Sequence, residues 1–160
     1  MPQITIEYMI MIPILILQIF LFPLTAGWIM STWVDSRRTL ALQETASHLG
    51  SSIQQMYYSL NHGSISAGTV TNRLEVPPFI EGYAYTGNAT VRTGSDPNSS
   101  KVLDVTLRLT GSSLDATTSV TLGQNVEWHD STFMSNSTYA SIIAEKQSNG
   151  TIRLYFGGAE

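Results

Sequence analysis

The sequence predicts an α+β protein in which one long N-terminal helix, apolar at first and amphipathic afterwards, packs on a small antiparallel β-sheet or sandwich. Three observations carry this. Residues 4–34 are almost all apolar, interrupted by Glu7, Gln18 and a few hydroxyl side chains. From Leu42 the apolar residues recur every three or four positions, the spacing of one helix face. Past Gly68 the period falls to two, the alternation of strands with one buried side.

The apolar run is long enough to cross a bilayer. At 1.5 Å of rise per residue its 31 or so positions reach about 46 Å, against a hydrocarbon core of about 30 Å. A cleaved secretory signal would show a basic start and a small-residue cleavage site, whereas the first basic residue here is Arg37. Pro13 and Pro23 each remove a helix hydrogen bond and are expected to bend the axis, which membrane helices tolerate. Gln18, a lone amide in this run, reads as a helix–helix contact.

The helix is expected to continue through Leu42, Ala46, Leu49, Ile53, Met56 and Leu60, a stripe with Gln43, Glu44, Ser47, Ser51 and Gln54 on the other side. Gly63 in "NHGS" is the expected C-cap, ending the helix near Asn61. A solitary helix cannot bury that stripe, so the residues that follow must supply a sheet. The division is then 1–34 membrane helix, 35–62 amphipathic continuation and 63–160 β-rich domain. The clearest strand is "KVLDVTLRLT", where Leu103, Val105, Leu107 and Leu109 alternate with Val102, Asp104, Thr106 and Arg108. Further strands are expected in "TVTNRLEV", "IEGYAYTG", "ATVRT", "ATTSVTL", "TYASIIAEK" and "TIRLYF". Asn149-Gly150 between the last two marks a hairpin. Tyr57, Tyr58, Tyr83 and Tyr85 read as core and rim packing.

Composition narrows the function. Only 12% of residues are charged and the net charge is -4, with no basic tract, so nucleic acid is not an expected partner. The absence of cysteine excludes disulfides, thiolate catalysis and cysteine-bound metals. No phosphate loop, nucleophile elbow or zincin motif is present, so the expectation is a non-enzymatic chain with no cofactor. His48 and His62 are isolated, and Glu127, His129 and Asp130 in "EWHDS" read as loop polarity and not as a metal site.

Four Asn-x-Ser/Thr sequons start at Asn88, Asn98, Asn136 and Asn149, all on one side of the apolar run. They are expected at turns or loop edges that accommodate a glycan, which places the C-terminal domain outside the cell. Arg37 and Arg38 directly after the run argue the other way by the positive-inside rule, with Asp35 offsetting part of their charge. The sequons are given the greater weight.

The opening "QITIEY" followed by an apolar helix resembles the processing region of archaeal type IV pilin-like proteins, which carry a class III signal peptide cut before a Gln-x-Ser-x-Glu-like motif. The matching positions are Gln3, Thr5 in the hydroxyl place, Glu7 and Tyr8. Glu7, Tyr8 and Pro13 also match a pattern similar to TadE-like pseudopilins, a Glu-aromatic pair with proline six residues after the Glu. Met1 and Pro2 do not match the basic and small residues that end such a leader. The resemblance is specific over about the first 35 residues and extends to the rest only in layout.

The resemblance implies a structural subunit of an archaeal surface filament. Its partners would be other copies of itself, a prepilin peptidase, a membrane assembly platform and, before assembly, the lipid bilayer. Cleavage before Gln3 would make Glu7 the fifth mature residue, whose carboxylate neutralises the α-amino group of a neighbouring subunit in the filament core. Glu7, Pro13 and Pro23 are then the assembly residues. The alternative is a single-span accessory protein whose extracytoplasmic β-domain binds an envelope or filament partner.

Overall fold

The computed structural model describes residues 3–94 and 99–158 of the chain, with side chains from Tyr8 onward. Helix α1 spans Gln3–Leu60 and runs unbroken through both Pro13 and Pro23. The chain divides into two compact units, Met1–Arg37 and Arg38–Glu160, so α1 contributes to both. The boundary falls a few residues after the position where the sequence stops being apolar.

Among the described residues of the second unit, α1 is followed by eight strands: β1 (Gly68–Arg73), β2 (Tyr85–Arg92), β3 (Lys101–Leu109), β4 (Asp115–Leu122), β5 (Val126–Trp128), β6 (Thr132–Met134), β7 (Ser141–Lys146) and β8 (Ile152–Gly157). They form two four-stranded sheets, ordered β1-β7-β8-β5 and β4-β3-β2-β6. The expected α+β architecture is therefore present, with two sheets and a helix sharing one core. Leu42, Ala46, Leu49, Ile53, Met56 and Leu60 are all buried in that core, as their spacing predicts. Opposite them lie Leu103, Val105, Leu107 and Leu109 of β3, and Ile142, Ala144, Ile152, Leu154 and Phe156 of β7 and β8. Tyr57 and Tyr85 are core residues at 1% and 0% exposure, while Tyr58 and Tyr83 lie at the rim.

Several sequence expectations change in detail. "IEGYAYTG" and "ATVRT" were expected as separate strands, yet a single strand, β2, runs from Tyr85 to Arg92. Asn88 fits mid-strand because it faces outward and is exposed, while Gly87 beside it faces inward. A Cβ at Gly87 would lie 2.2 Å from Phe133 Cε1, so this position admits the aromatic ring only because it lacks a side chain.

The "EWHDS" segment, expected as loop, begins inside a three-residue strand: Glu127 and Trp128 belong to β5, and His129, Asp130 and Ser131 connect it to the equally short β6. β5 pairs parallel with β8, whereas the other strand pairs among the described residues run antiparallel. Asn125 brings it there: its Nδ2 donates to the Gly150 carbonyl at 2.9 Å and its carbonyl accepts from Ile152 N at 2.8 Å. Such short strands carry too few residues to show a period.

The end of α1 also differs from expectation. Gly63 is not among the left-handed glycines and does not cap the helix. Instead Lys146 Nζ, from β7, donates to the Leu60 carbonyl at 2.8 Å and the His62 carbonyl at 3.0 Å. Leu60 O is a carbonyl the terminating helix leaves without an internal partner, and His62 O, just past the helix end, also accepts from Ile65 N at 3.1 Å. The β7–β8 hairpin forms as its Asn-Gly signal predicts, but through a three-residue loop: Gly150 N donates to Gln147 O at 3.0 Å, and Gly150 has φ 83°. This is a type I turn followed by a left-handed glycine.

Candidate functional site

The first unit presents its apolar side chains outward. From Tyr8 to Trp33 every large apolar side chain is about half exposed or more, from 49% at Leu21 to 77% at Met9. At about 25 cal/mol per Å² of apolar surface, a helix of this kind is strongly driven out of water into hydrocarbon or against other helices. By length and composition α1 qualifies as a membrane span.

Its polar side chains are arranged for the same surroundings. In hydrocarbon every hydrogen-bonding group must find a partner within the protein. Thr25 Oγ1 lies 3.0 Å from both the Leu21 and Phe22 carbonyls, and Ser31 and Thr32 both donate to the Trp28 carbonyl, at 2.9 and 3.0 Å. Ser36 donates to the Thr32 carbonyl at 2.8 Å. At the polar end of the run, the Arg37 guanidinium sits 4.9 Å from the Trp33 ring centroid. Tryptophan and arginine together suit the border between hydrocarbon and water.

Gln18 is the exception. Among the described residues its side-chain amide has no hydrogen-bond partner. It lines an open groove of about 750 Å³ with Leu15, Ile19, Phe22, Pro23 and Thr25. Pro23 has no N–H to give the Ile19 carbonyl four residues earlier. The groove thus combines an unpaired amide with a backbone acceptor that the helix leaves open.

Of the sequence-derived processing residues, the backbone of Gln3, Thr5 and Glu7 is helical, and their side chains lie outside the described part. Tyr8 is 61% exposed. Pro13 and Pro23 both lie within α1.

The sequons take different places in the second unit. Asn88 sits on the outer face of β2, opposite Thr106 of β3 and Thr132 of β6, and not in the turn expected for it. Asn136 lies exposed in the turn after β6, and Asn149 exposed in the β7–β8 loop. Asn149 Oδ1 accepts from Thr151 N at 2.9 Å, an arrangement that uses the oxygen and leaves the amide nitrogen outward-facing and unpartnered among the described residues. Asn98 lies outside the described residues.

The histidines do not converge. His129 stacks edge-on against Tyr155 at 6.2 Å, His62 Nδ1 meets Ser64 Oγ at 2.8 Å, and Glu127 pairs with Arg153 at 3.8 Å. Among the described residues no three His, Asp or Glu side chains come together in a way that could hold a metal ion.

Charge is used structurally. Arg38 Nε contacts Glu81 Oε2 at 3.3 Å and its guanidinium lies 4.7 Å from the Tyr83 ring, fastening the turn in which Glu81 has φ 48°. On the outer face of β3, Asp104 accepts from Arg92 Nη2 at 2.8 Å and Ser119 Oγ at 2.6 Å. The hydrogen bond from Arg92 is the main reason the Asp104 carboxyl is held below its ordinary range. Burial raises the phenol of Tyr85, whose hydroxyl donates to the Pro77 carbonyl at 2.7 Å. Sequence reasoning missed Arg38, Asn125 and Lys146 as anchors, because each acts across a long stretch of chain with no local signature.

Comparison with protein-family models, curated proteins and solved structures finds no match for this chain.

Proposed function

We propose that this protein is a structural subunit of a type IV pilin-like surface filament, held in the membrane by the first part of α1 before assembly and packed through it in the filament core afterwards. The observation that carries the reading is the outward-facing apolar surface from Tyr8 to Trp33 on a helix that continues into a separately folded α+β unit. A bilayer satisfies the apolar surface alone. A bundle of neighbouring copies also offers partners to Gln18 and the open Ile19 carbonyl, since amides across helices bond readily in apolar surroundings. The "QITIEY" resemblance adds a processing route and a contact for Glu7. The β-domain, in this reading, is displayed outside the cell and glycosylated.

The test is direct. Antibody raised against the β-domain should decorate filaments on the surface of the native cells, and the mature chain should begin at Gln3. Cells in which the chain stays an unprocessed monomer in the membrane would instead support the anchored accessory protein.

A further inference from the structure

We propose that β1 is an intermolecular pairing edge, adding antiparallel to β1 of a second copy to join two β1-β7-β8-β5 sheets into one. The inference goes beyond filament assembly through α1. It needs only two copies whose β-domains share the same space.

Three of the four sheet edges are covered or short. Along β4, Gln43 Nε2 and Gln54 Nε2 of α1 donate to the Thr117 and Thr121 carbonyls at 3.4 and 2.9 Å. On β5, Lys101 Nζ donates to the Val126 carbonyl at 2.7 Å, and β6 is only three residues long. β1 is different: all six of its residues are exposed, and among the described residues nothing is hydrogen-bonded to it other than β7. It has no proline, no inward-pointing charge and no bulge to keep the edge from pairing, and its one charge, Arg73, lies at its end on the outer face. Its "TVTN" centre has strand-forming Thr and Val side chains.

Charge selects the partner and the register. Thr69 and Arg73 lie on the outer face of the sheet with Glu145, which stands opposite Thr69 on β7. Neither Arg73 nor Glu145 has an ion-pair or hydrogen-bond partner for its side chain among the described residues. Pairing two β1 strands about a two-fold axis through Thr71 places Arg73 of one copy opposite Thr69 of the other. Glu145 of that second copy is then one strand further on, about 9.6 Å away at two strand spacings. An extended arginine and a glutamate bridge that distance over a threonine. The symmetry produces the pair twice, so the same surface is complementary to itself.

The chain contains no cysteine, so Thr71→Cys introduces a single thiol on the proposed axis. There the two Cα atoms would lie about 4.5–5.5 Å apart. The full-length variant in native membranes, treated with a short thiol–thiol cross-linker, should form covalent dimer at least about fivefold more than Ser119→Cys, an exposed position on the other sheet. On the Thr71→Cys background, Arg73→Glu alone and Glu145→Arg alone should each lower the dimer yield by about fivefold, and the two together should restore it. Restoration by the double reversal separates pairing from a folding defect. A Thr71→Cys yield no higher than that of Ser119→Cys, or single reversals without effect, would overturn the proposal, and either result leaves the role of α1 in filaments standing.

Discussion

Lys146 Nζ donates to the Leu60 carbonyl at 2.8 Å, tying the end of α1 to a strand that lies 86 residues later in the chain. The ammonium closes off a terminal carbonyl the helix cannot bond itself and suits the negative end of the helix dipole. Lys146→Met keeps the stem and removes the charge. It should destabilise the second unit by about 1.5–3 kcal/mol, the usual range for a hydrogen bond to a charged group. Urea unfolding of a chain beginning near Asp35 measures this, and an unchanged midpoint would show that water replaces the ammonium without loss.

Ile53 is fully buried where α1 meets the sheets. Ile53→Asp should prevent folding of the same chain, because an unpaired buried carboxylate costs several kcal/mol against a total stability of about 5–15 kcal/mol. Ser51→Asp, on the exposed side of the helix, is the matched control and should melt within a few degrees of the parent.

Asp104 couples stability to acid. Its carboxyl is lowered chiefly by the Arg92 hydrogen bond, so the charged form is favoured in the folded state. The contribution is present above the ordinary carboxylate pKa of about 4 and is lost as pH falls through the lower folded value. Asp104→Asn should therefore destabilise the unit at neutral pH and flatten the stability profile below about pH 4. Parallel acid profiles for parent and variant would show that the contact has no energetic weight.

Native protein should carry glycan on at least one of Asn88, Asn136 and Asn149, all exposed, or on Asn98. Asn149 is the most favourably presented, with its oxygen engaged by Thr151 N and its amide nitrogen outward. Intact-mass measurement before and after Asn149→Gln checks it. A native mass equal to the bare polypeptide would remove the sequon argument for an extracellular domain.

If the chain forms the proposed filament, Glu7→Gln should abolish it while leaving the β-domain folded. If the carboxylate faces the terminal amine of a neighbouring copy in an apolar core, its loss strands a buried charge at a cost of about 3–5 kcal/mol. Filament counts by electron microscopy and cell-associated monomer by immunoblot read the outcome. Normal filaments would mean that Glu7 sits at the membrane surface, and the single-span anchor reading would lead.

The sequence alone determined the parts of this protein that are set by short-range periodicity. The apolar run, the stripe from Leu42 to Leu60 and the alternation through Leu103–Leu109 each repeat often enough for the burial pattern to be legible, because a helix or strand must turn every apolar side chain toward the same face. Tertiary structure decided what depends on residues far apart in the chain. Asn88 stands mid-strand on the outer face of β2 beside a Gly87 whose bare backbone meets Phe133, and Asn125 fastens the start of β5 to Gly150 and Ile152 beside β8. Gly63 does not cap the helix; the charged amine of Lys146 reaches the Leu60 carbonyl at its end, and the His62 carbonyl just beyond, from strand β7. β1 was legible as a strand, but only the three-dimensional arrangement shows that its edge is left open while Gln43, Gln54 and Lys101 close the edges of β4 and β5. These outcomes rest on hydrogen bonds and close contacts between distant segments, which leave no period in the sequence.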